Sequence, residues 1–202
     1  MVSRTVSKSF RSGIGFRFPA IAALLFLIAA PLAIAELDLS PRLEPFEMEG
    51  VKLAQLAFNN GTSHEATYQP PVDWKYSGGK DSLDLLPQNL AQAKATVTKW
   101  RSPYSFDPDG LKQLTQRFVE SLPEGAEQVK VQSEELNPLQ IDGQPTYLVQ
   151  LSYVYYGEKY ACYALLLDRK AGPLSFRLIC RAANYDNLRD AFQKSLYSWQ
   201  NL

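Results

Sequence analysis

Residues 146–182 read TYLVQLSYVYYGEKYACYALLLDRKAGPLSFRLICRA. Three apolar runs separated by two turn signals fill this stretch, and the turn lengths set which side chains share a face. Gly157-Glu158 places glycine first in a two-residue hairpin loop, so Tyr156 is predicted to face Lys159. That register pairs Val149 with Leu166, Leu151 with Ala164 and Tyr153 with Cys162, and makes Tyr155 and Tyr160 direct cross-strand neighbours. A second turn from Arg169 to Pro173, at five residues, sets Asp168 opposite Leu174. Leu166 then meets Phe176, Ala164 meets Leu178 and Cys162 meets Cys180, all on one face. The other face carries Leu148, Tyr163, Leu165, Leu167 and Ile179 among Gln150, Ser152, Arg177 and Arg181. A sheet apolar on both sides needs cover on both sides.

Two amphipathic helices are available as cover. The first begins at Asp107-Pro108, where the carboxylate caps free N–H groups and proline suits the first helical turn. Leu111, Leu114, Phe118 and Leu122 fall on one of its faces, and Pro123 and Gly125 end it. The second spans about Asn187 to Trp199, capped by Asn184 or Asp186, with Leu188, Ala191, Phe192, Leu196 and Trp199 on one face. Further extended runs are read at Val51 to Phe58 before the Asn59-Asn60-Gly61 turn, Glu65 to Gln69, Trp74 to Tyr76, Ser82 to Leu86, Ala93 to Trp100 and Ala126 to Glu135. The expected fold is α+β, a central antiparallel sheet with amphipathic helices on both faces, an α/β/α sandwich.

The chain has 202 residues with 21 Lys and Arg against 21 Asp and Glu. The neutral balance hides an asymmetry, because Arg4, Lys8, Arg11 and Arg17 stand in the first 35 residues without an acid. A basic start, the apolar stretch Ala20 to Ala30 and the small residues of Ala33-Ile34-Ala35 read as a signal peptide over 1–35, cleaved before Glu36. The alternative is a retained anchor, since Phe18 to Ala35 would just cross a thin bilayer if tilted. Either reading puts the folded part outside the cytoplasm, periplasmic or extracellular, with no stable membrane span after cleavage. Residues 36–49, with Pro41 and Pro45 among charges, are expected to be a linker, and 50–202 a single domain. Without the leader, 17 bases face 21 acids, a net charge of −4 that offers no footprint for nucleic acid.

Tyr68-Gln69-Pro70-Pro71-Val72-Asp73-Trp74 resembles the Tyr-x-x-Pro-x-x-Trp entry of the fold shared by the photosystem II extrinsic protein PsbP and the bacterial envelope protein DcrB. Asp142-Gly143-Gln144-Pro145-Thr146-Tyr147 and a closing helix with Phe192, Ser195 and Leu196 are similar to that fold too. The likeness spans about Glu65 to Gln200, and the insert Leu83 to Gln92 leaves the subfamily open. The resemblance implies an accessory or binding protein and brings no catalytic residue with it.

The residues themselves point the same way. His64 is the single histidine. Tyr68 stands where a second zinc-binding histidine would follow it, and no Gly-x-Ser-x-Gly elbow supports a serine nucleophile. Ser77-Gly78-Gly79-Lys80 lacks the spacing of a phosphate loop, and Asp107-x-Asp109-Gly110 resembles a calcium loop without its later ligands. No metal or cofactor is expected. Six of the eleven tyrosines lie between Tyr147 and Tyr163. An aromatic row on a sheet stacks sugars, peptides or apolar ligands, although tyrosine also favours strands for purely structural reasons. Tyr155, Tyr156 and Tyr160 at the hairpin tip are the candidate ligand or partner surface. The function expected is a non-catalytic binding or accessory protein of the cell envelope, with an unknown protein or small ligand as partner. The alternative is a small extracytoplasmic enzyme using acids such as Glu134 and Glu135 or Asp73 and Asp81. Export to an oxidising compartment and the five-residue turn also predict a Cys162–Cys180 disulfide. A four-residue turn would instead pair Cys162 with Ile179 and forbid it.

Overall fold

The computed structural model describes residues 36–48, 50–61 and 63–202, so the signal-peptide reading lies outside the described residues. The strands are β1 (Asp38–Met48), β2 (Val51–Asn60), β3 (Ser63–Tyr68), β4 (Lys75–Gly79), β5 (Ser82–Leu86), β6 (Lys94–Lys99), β7 (Glu127–Leu136), β8 (Thr146–Tyr155), β9 (Glu158–Leu167), β10 (Leu174–Arg181) and β11 (Gln200–Asn201). Helix α1 covers Pro108–Glu120 and α2 covers Tyr185–Leu196. The strands form a four-stranded sheet, β1-β2-β3-β11, and a seven-stranded sheet, β4-β5-β6-β10-β9-β8-β7. Neighbouring strands run antiparallel throughout, which makes the chain an α+β sandwich.

Helix α1 starts as expected, with the Asp107 carboxylate accepting from the N–H groups of Asp109 and Gly110. Its Leu114 and Phe118 are buried with Tyr147, Val149, Leu151 and Tyr153 of β8 and with Cys162, Ala164 and Leu166 of β9. A separate cluster gathers Leu188, Phe192 and Leu196 of α2 with Trp199, Leu148, Tyr163, Phe176, Leu178 and Cys180. Leu37, Leu39, Leu56, Phe58 and Tyr68 of the four-stranded sheet and its approach join that second cluster. The cover expected from the closing helix alone is therefore shared between α2 and β1–β3.

Residues 38–48 of the expected linker form a strand. Asp38–Met48 is strand β1, and Leu37 and Leu39 before and within it are buried. Pro41 falls where the β1–β2 register shifts and Pro45 pairs with Ala54 on a strand at the sheet edge, where a missing N–H costs no ladder bond. The two sheets meet at Gly78, where a Cβ would come within 2.9 Å of the Ser82 carbonyl and 3.0 Å of the Leu39 carbonyl. Bare backbone there lets β1 pass β4, and Leu39 donates its N–H to the Lys80 carbonyl at 3.2 Å.

Both turns of the deciding segment differ from expectation. The β8–β9 loop is Tyr156-Gly157, with φ of 49° and 75°, a turn of the type that wants positive φ at both places. Tyr155 therefore pairs with Glu158, Tyr153 with Tyr160, Leu151 with Cys162 and Val149 with Ala164. This slip of two residues leaves every side chain on its expected face. The β9–β10 loop holds six residues, Asp168 to Pro173, because Asp168 is drawn out of the ladder. Its N–H donates to the Pro145 carbonyl at 2.9 Å and its carboxylate accepts from the Tyr104 hydroxyl at 2.5 Å. Leu167 consequently pairs with Leu174 and Cys162 with Ile179, while Cys180 pairs with Ala161. A shift of one residue turns β10 over. Cys162 and Cys180 belong to different clusters and are free thiols, so the expected disulfide is not formed.

Candidate binding surface

The hairpin tip is built by its turn. Tyr156 occupies the first loop position and is 88% exposed. Its ring lies 4.4 Å from that of the half-buried Tyr155, which is 6.0 Å from Tyr160 in an edge-to-face arrangement. Tyr160 stacks in turn on Tyr153 at 5.6 Å with an interplanar angle of 19°. Tyr153 is buried and anchors the set, and burial pushes its phenol well above the ordinary range. The Tyr156 hydroxyl beside it raises the Tyr155 phenol, with a smaller contribution from desolvation. Tyr153 and Tyr155 are therefore held neutral, as polar-edged aromatic rings.

The flipped β10 adds charge to this row. Arg181 stands opposite Tyr160 on the neighbouring strand, and its Nη2 lies 3.7 Å from the Glu158 Oε1. Sequence reasoning placed Arg181 on the other face, because the turn alone does not show that Asp168 leaves the ladder for Tyr104 and Pro145. The tip thus combines an aromatic array graded from buried to exposed with one cation and one anion at its margin, a composition suited to contact with another molecule.

The remaining candidates are dispersed. Glu134 accepts from the Thr115 hydroxyl, which also lies 2.8 Å from the Tyr147 hydroxyl. Glu135 is the next residue along β7 and projects to the opposite side. Asp73 is exposed at φ 63°. Asp81 pairs with Lys99 at 3.2 Å and Arg101 at 2.8 Å, and the Lys99 hydrogen bond holds its carboxyl below the ordinary range. His64 is exposed with its Nδ1 3.5 Å from Glu44. Among the described residues, no three His, Cys, Asp or Glu side chains come together as a metal site, and no helix is long and apolar enough to cross a membrane. Sequence reasoning also missed the ion pair between Glu65 and Arg169, 2.6 Å apart and both buried. An acid directly before the apolar run Ala66 to Tyr68 was the available signal.

The chain has a PsbP-like fold. No family model matches the sequence, and no curated protein matches it either. The solution structure of cyanobacterial PsbP (CyanoP) from Synechocystis sp. PCC 6803 is similar with a TM-score of 0.53 at 14% identity, over 86% of this chain and 96% of that one. The Saccharomyces cerevisiae Ran-binding protein Mog1p gives 0.48 at 11% identity, over 80% and 96%. LpqN of Mycobacterium tuberculosis, involved in cell envelope biogenesis, gives 0.43 at 11% identity, over 80% and 91%. At these identities the likeness is one of fold.

Proposed function

We propose that the chain is an exported, non-catalytic binding or accessory protein of the cell envelope, acting on a protein or ligand through the β8–β9 tip with Tyr155, Tyr156 and Tyr160 as its contacts. Export is supported by the basic and apolar leader and its Ala33-Ile34-Ala35 site. In the same reading α1 and α2 form outer layers on opposite faces of the seven-stranded sheet, supported by the two separate core clusters. The observation that carries the proposal is Tyr156. A left-handed conformation costs a non-glycine residue roughly 1–2 kcal/mol, and asparagine would relieve it at this place in the turn. An exposed tyrosine kept at such a position contributes something other than folding.

The test is Tyr156→Asn in the mature protein. Urea denaturation should show stability unchanged or raised by up to about 1 kcal/mol. Affinity capture from an envelope fraction, with mass spectrometry, should lose the partner that the unaltered protein retains. Full retention of that partner by the variant would overturn the reading, and a loss of stability would show that the ring holds the hairpin instead.

A further inference from the structure

A groove of about 610 Å³ runs between the Pro70-Pro71-Val72 loop and the outer side of α2, within the size range of ligand-binding clefts. Its walls are fixed before anything binds. The Ser198 Oγ accepts from the Gln69 N–H at 2.8 Å and donates to the Ser195 carbonyl at 2.6 Å, which ties the loop to the end of α2. Below it the Tyr68 and Ser195 hydroxyls are 2.7 Å apart, and Trp74 lies parallel to Phe192 at 6.3 Å. Preformed walls spare a ligand the cost of ordering them.

The lining mixes apolar and polar residues, with one cation that has no ion-pair partner among the described residues. Pro70, Pro71, Val72 and Ala191 supply the apolar surface, and Val72 is 87% exposed at the lip. Of the two ionisable residues that line the groove, Asp190 accepts from Arg189, with Nε at 3.1 Å and Nη2 at 2.9 Å, and the same guanidinium reaches Asp186 through Nη1 at 3.2 Å. Lys194 is exposed and forms no ion pair among the described residues. The prolines have no N–H to extend a sheet, so recognition here runs through side chains. The Asn187 amide, also lining the groove, offers a donor and an acceptor together, which matches a peptide group.

We infer that this groove binds an extended peptide segment of a partner protein in which an apolar side chain sits on the Pro70–Val72 and Ala191 surface while a neighbouring carboxylate meets Lys194. The groove is open along its length, so it would not sheathe a long acyl chain. The inference does not depend on the tyrosine tip.

The probe is a set of N-acetylated, C-amidated tetrapeptides with Ala, Val, Leu, Ile, Phe or Pro at two positions and Asp, Asn or Lys at a third, titrated into the ¹⁵N-labelled protein. Peptides bearing Asp should move the amides of Asn187, Ala191 and Lys194 and bind about fivefold tighter than their Asn counterparts, the effect of one exposed ion pair. Lys194→Gln, at an exposed position, should abolish that preference while leaving the spectrum folded, and Val72→Ser should weaken every peptide alike. Equal binding of Asp and Asn peptides, a preference surviving in Lys194→Gln, or no shift in α2 at millimolar concentration would overturn the inference. So would shifts of these amides with laurate and no peptide. Shifts confined to Tyr155 and Tyr156 would overturn it too while sparing the proposal for the hairpin tip.

Discussion

The Glu65–Arg169 pair is the sharpest energetic feature of the fold. The Arg169 side chain is 2% exposed and that of Glu65 8%, and a single bond of 2.6 Å joins Nη2 to Oε1. The Arg169 Nε and Nη1 and the Glu65 Oε2 have no partner among the described residues. The guanidinium also lies 5.8 Å from the Trp199 ring centroid. Burial lowers the Arg169 pKa, against the opposing pull of Glu65. Removing one partner strands the other charge in a site closed to water, so Glu65→Gln and Arg169→Met should each cost about 3–5 kcal/mol. Replacing both by apolar groups removes the desolvation penalty together with the attraction. Glu65→Leu/Arg169→Met should therefore fall within about 1 kcal/mol of the unaltered protein or exceed it in stability. Urea denaturation followed by tryptophan fluorescence reads all three, and with Glu65→Leu as the matching single variant the cycle should return a coupling of about 5 kcal/mol or more. Single costs below about 1 kcal/mol, or a double variant as unstable as the singles summed, would refute the assignment of a buried, mutually compensating pair.

Truncation of Phe118 or Phe192, each buried in its own cluster, should cost about 3–5 kcal/mol in urea denaturation, and a cost below about 1 kcal/mol would show its helix undocked. Burial pushes the Cys162 thiol up to about 12 and the Cys180 thiol up to about 11, from an ordinary 9.0. The unfolded chain then holds fewer thiol protons than the native one above pH 9.0, so their contribution is complete below that pH and is lost as pH rises toward 11 and 12. Stability measured between pH 9.0 and 11 should fall in the unaltered protein and fall less in Cys162→Ala/Cys180→Ala; identical slopes would contradict this. At pH 8 the folded protein should resist a thiol reagent while the denatured, unreduced chain titrates two thiols. N-terminal sequencing of exported material should begin Glu36-Leu37-Asp38, and recovery of chains starting at Met1 in membranes would contradict cleavage.

Local signals decided well where one element answers to its own residues. Asp107-Pro108 starts α1 because cap and first turn are set within a few residues, and the 111, 114, 118 spacing reports a face whatever lies opposite. β1 defeated the same kind of reading. Two prolines among charges describe a linker and an edge strand equally well, and only the buried Leu37 and Leu39, long-range facts, separate them. The extended run read at Trp74 to Tyr76 stops short of Ser77-Gly78-Gly79 for a related reason. Its strand is held by β5 and by the passage of β1 over Gly78, neither of which is encoded nearby. The groove beside α2 was invisible because its two walls, 69–72 and 187–198, are far apart in sequence and each reads as an ordinary loop or solvated helix face.

The two register errors show why part of the candidate surface was legible and part was not. In the first hairpin the loop moved by one position, which changes the pairing by two residues and keeps parity. Tyr153, Tyr155 and Tyr160 thus remain on one face and touch, even though Tyr155 and Tyr160 are diagonal rather than opposite. In the second, one extra loop residue changes parity. Phe176, Leu178 and Cys180 cross to the cluster of α2, and Arg177, Ile179 and Arg181 come to the side of Cys162, Ala164 and Tyr160. What tips that choice is the Tyr104–Asp168 hydrogen bond with the Pro145 carbonyl, an arrangement 64 residues apart in sequence that no reading of the turn alone contains. The arginine beside the tyrosine tip and the separation of the two thiols are consequences of the same loop residue. A register that returned Asp168 to the ladder opposite Leu174 would have to bury Arg177 and Arg181 against α2, so the present pairing is enforced by charge as much as by hydrogen bonding.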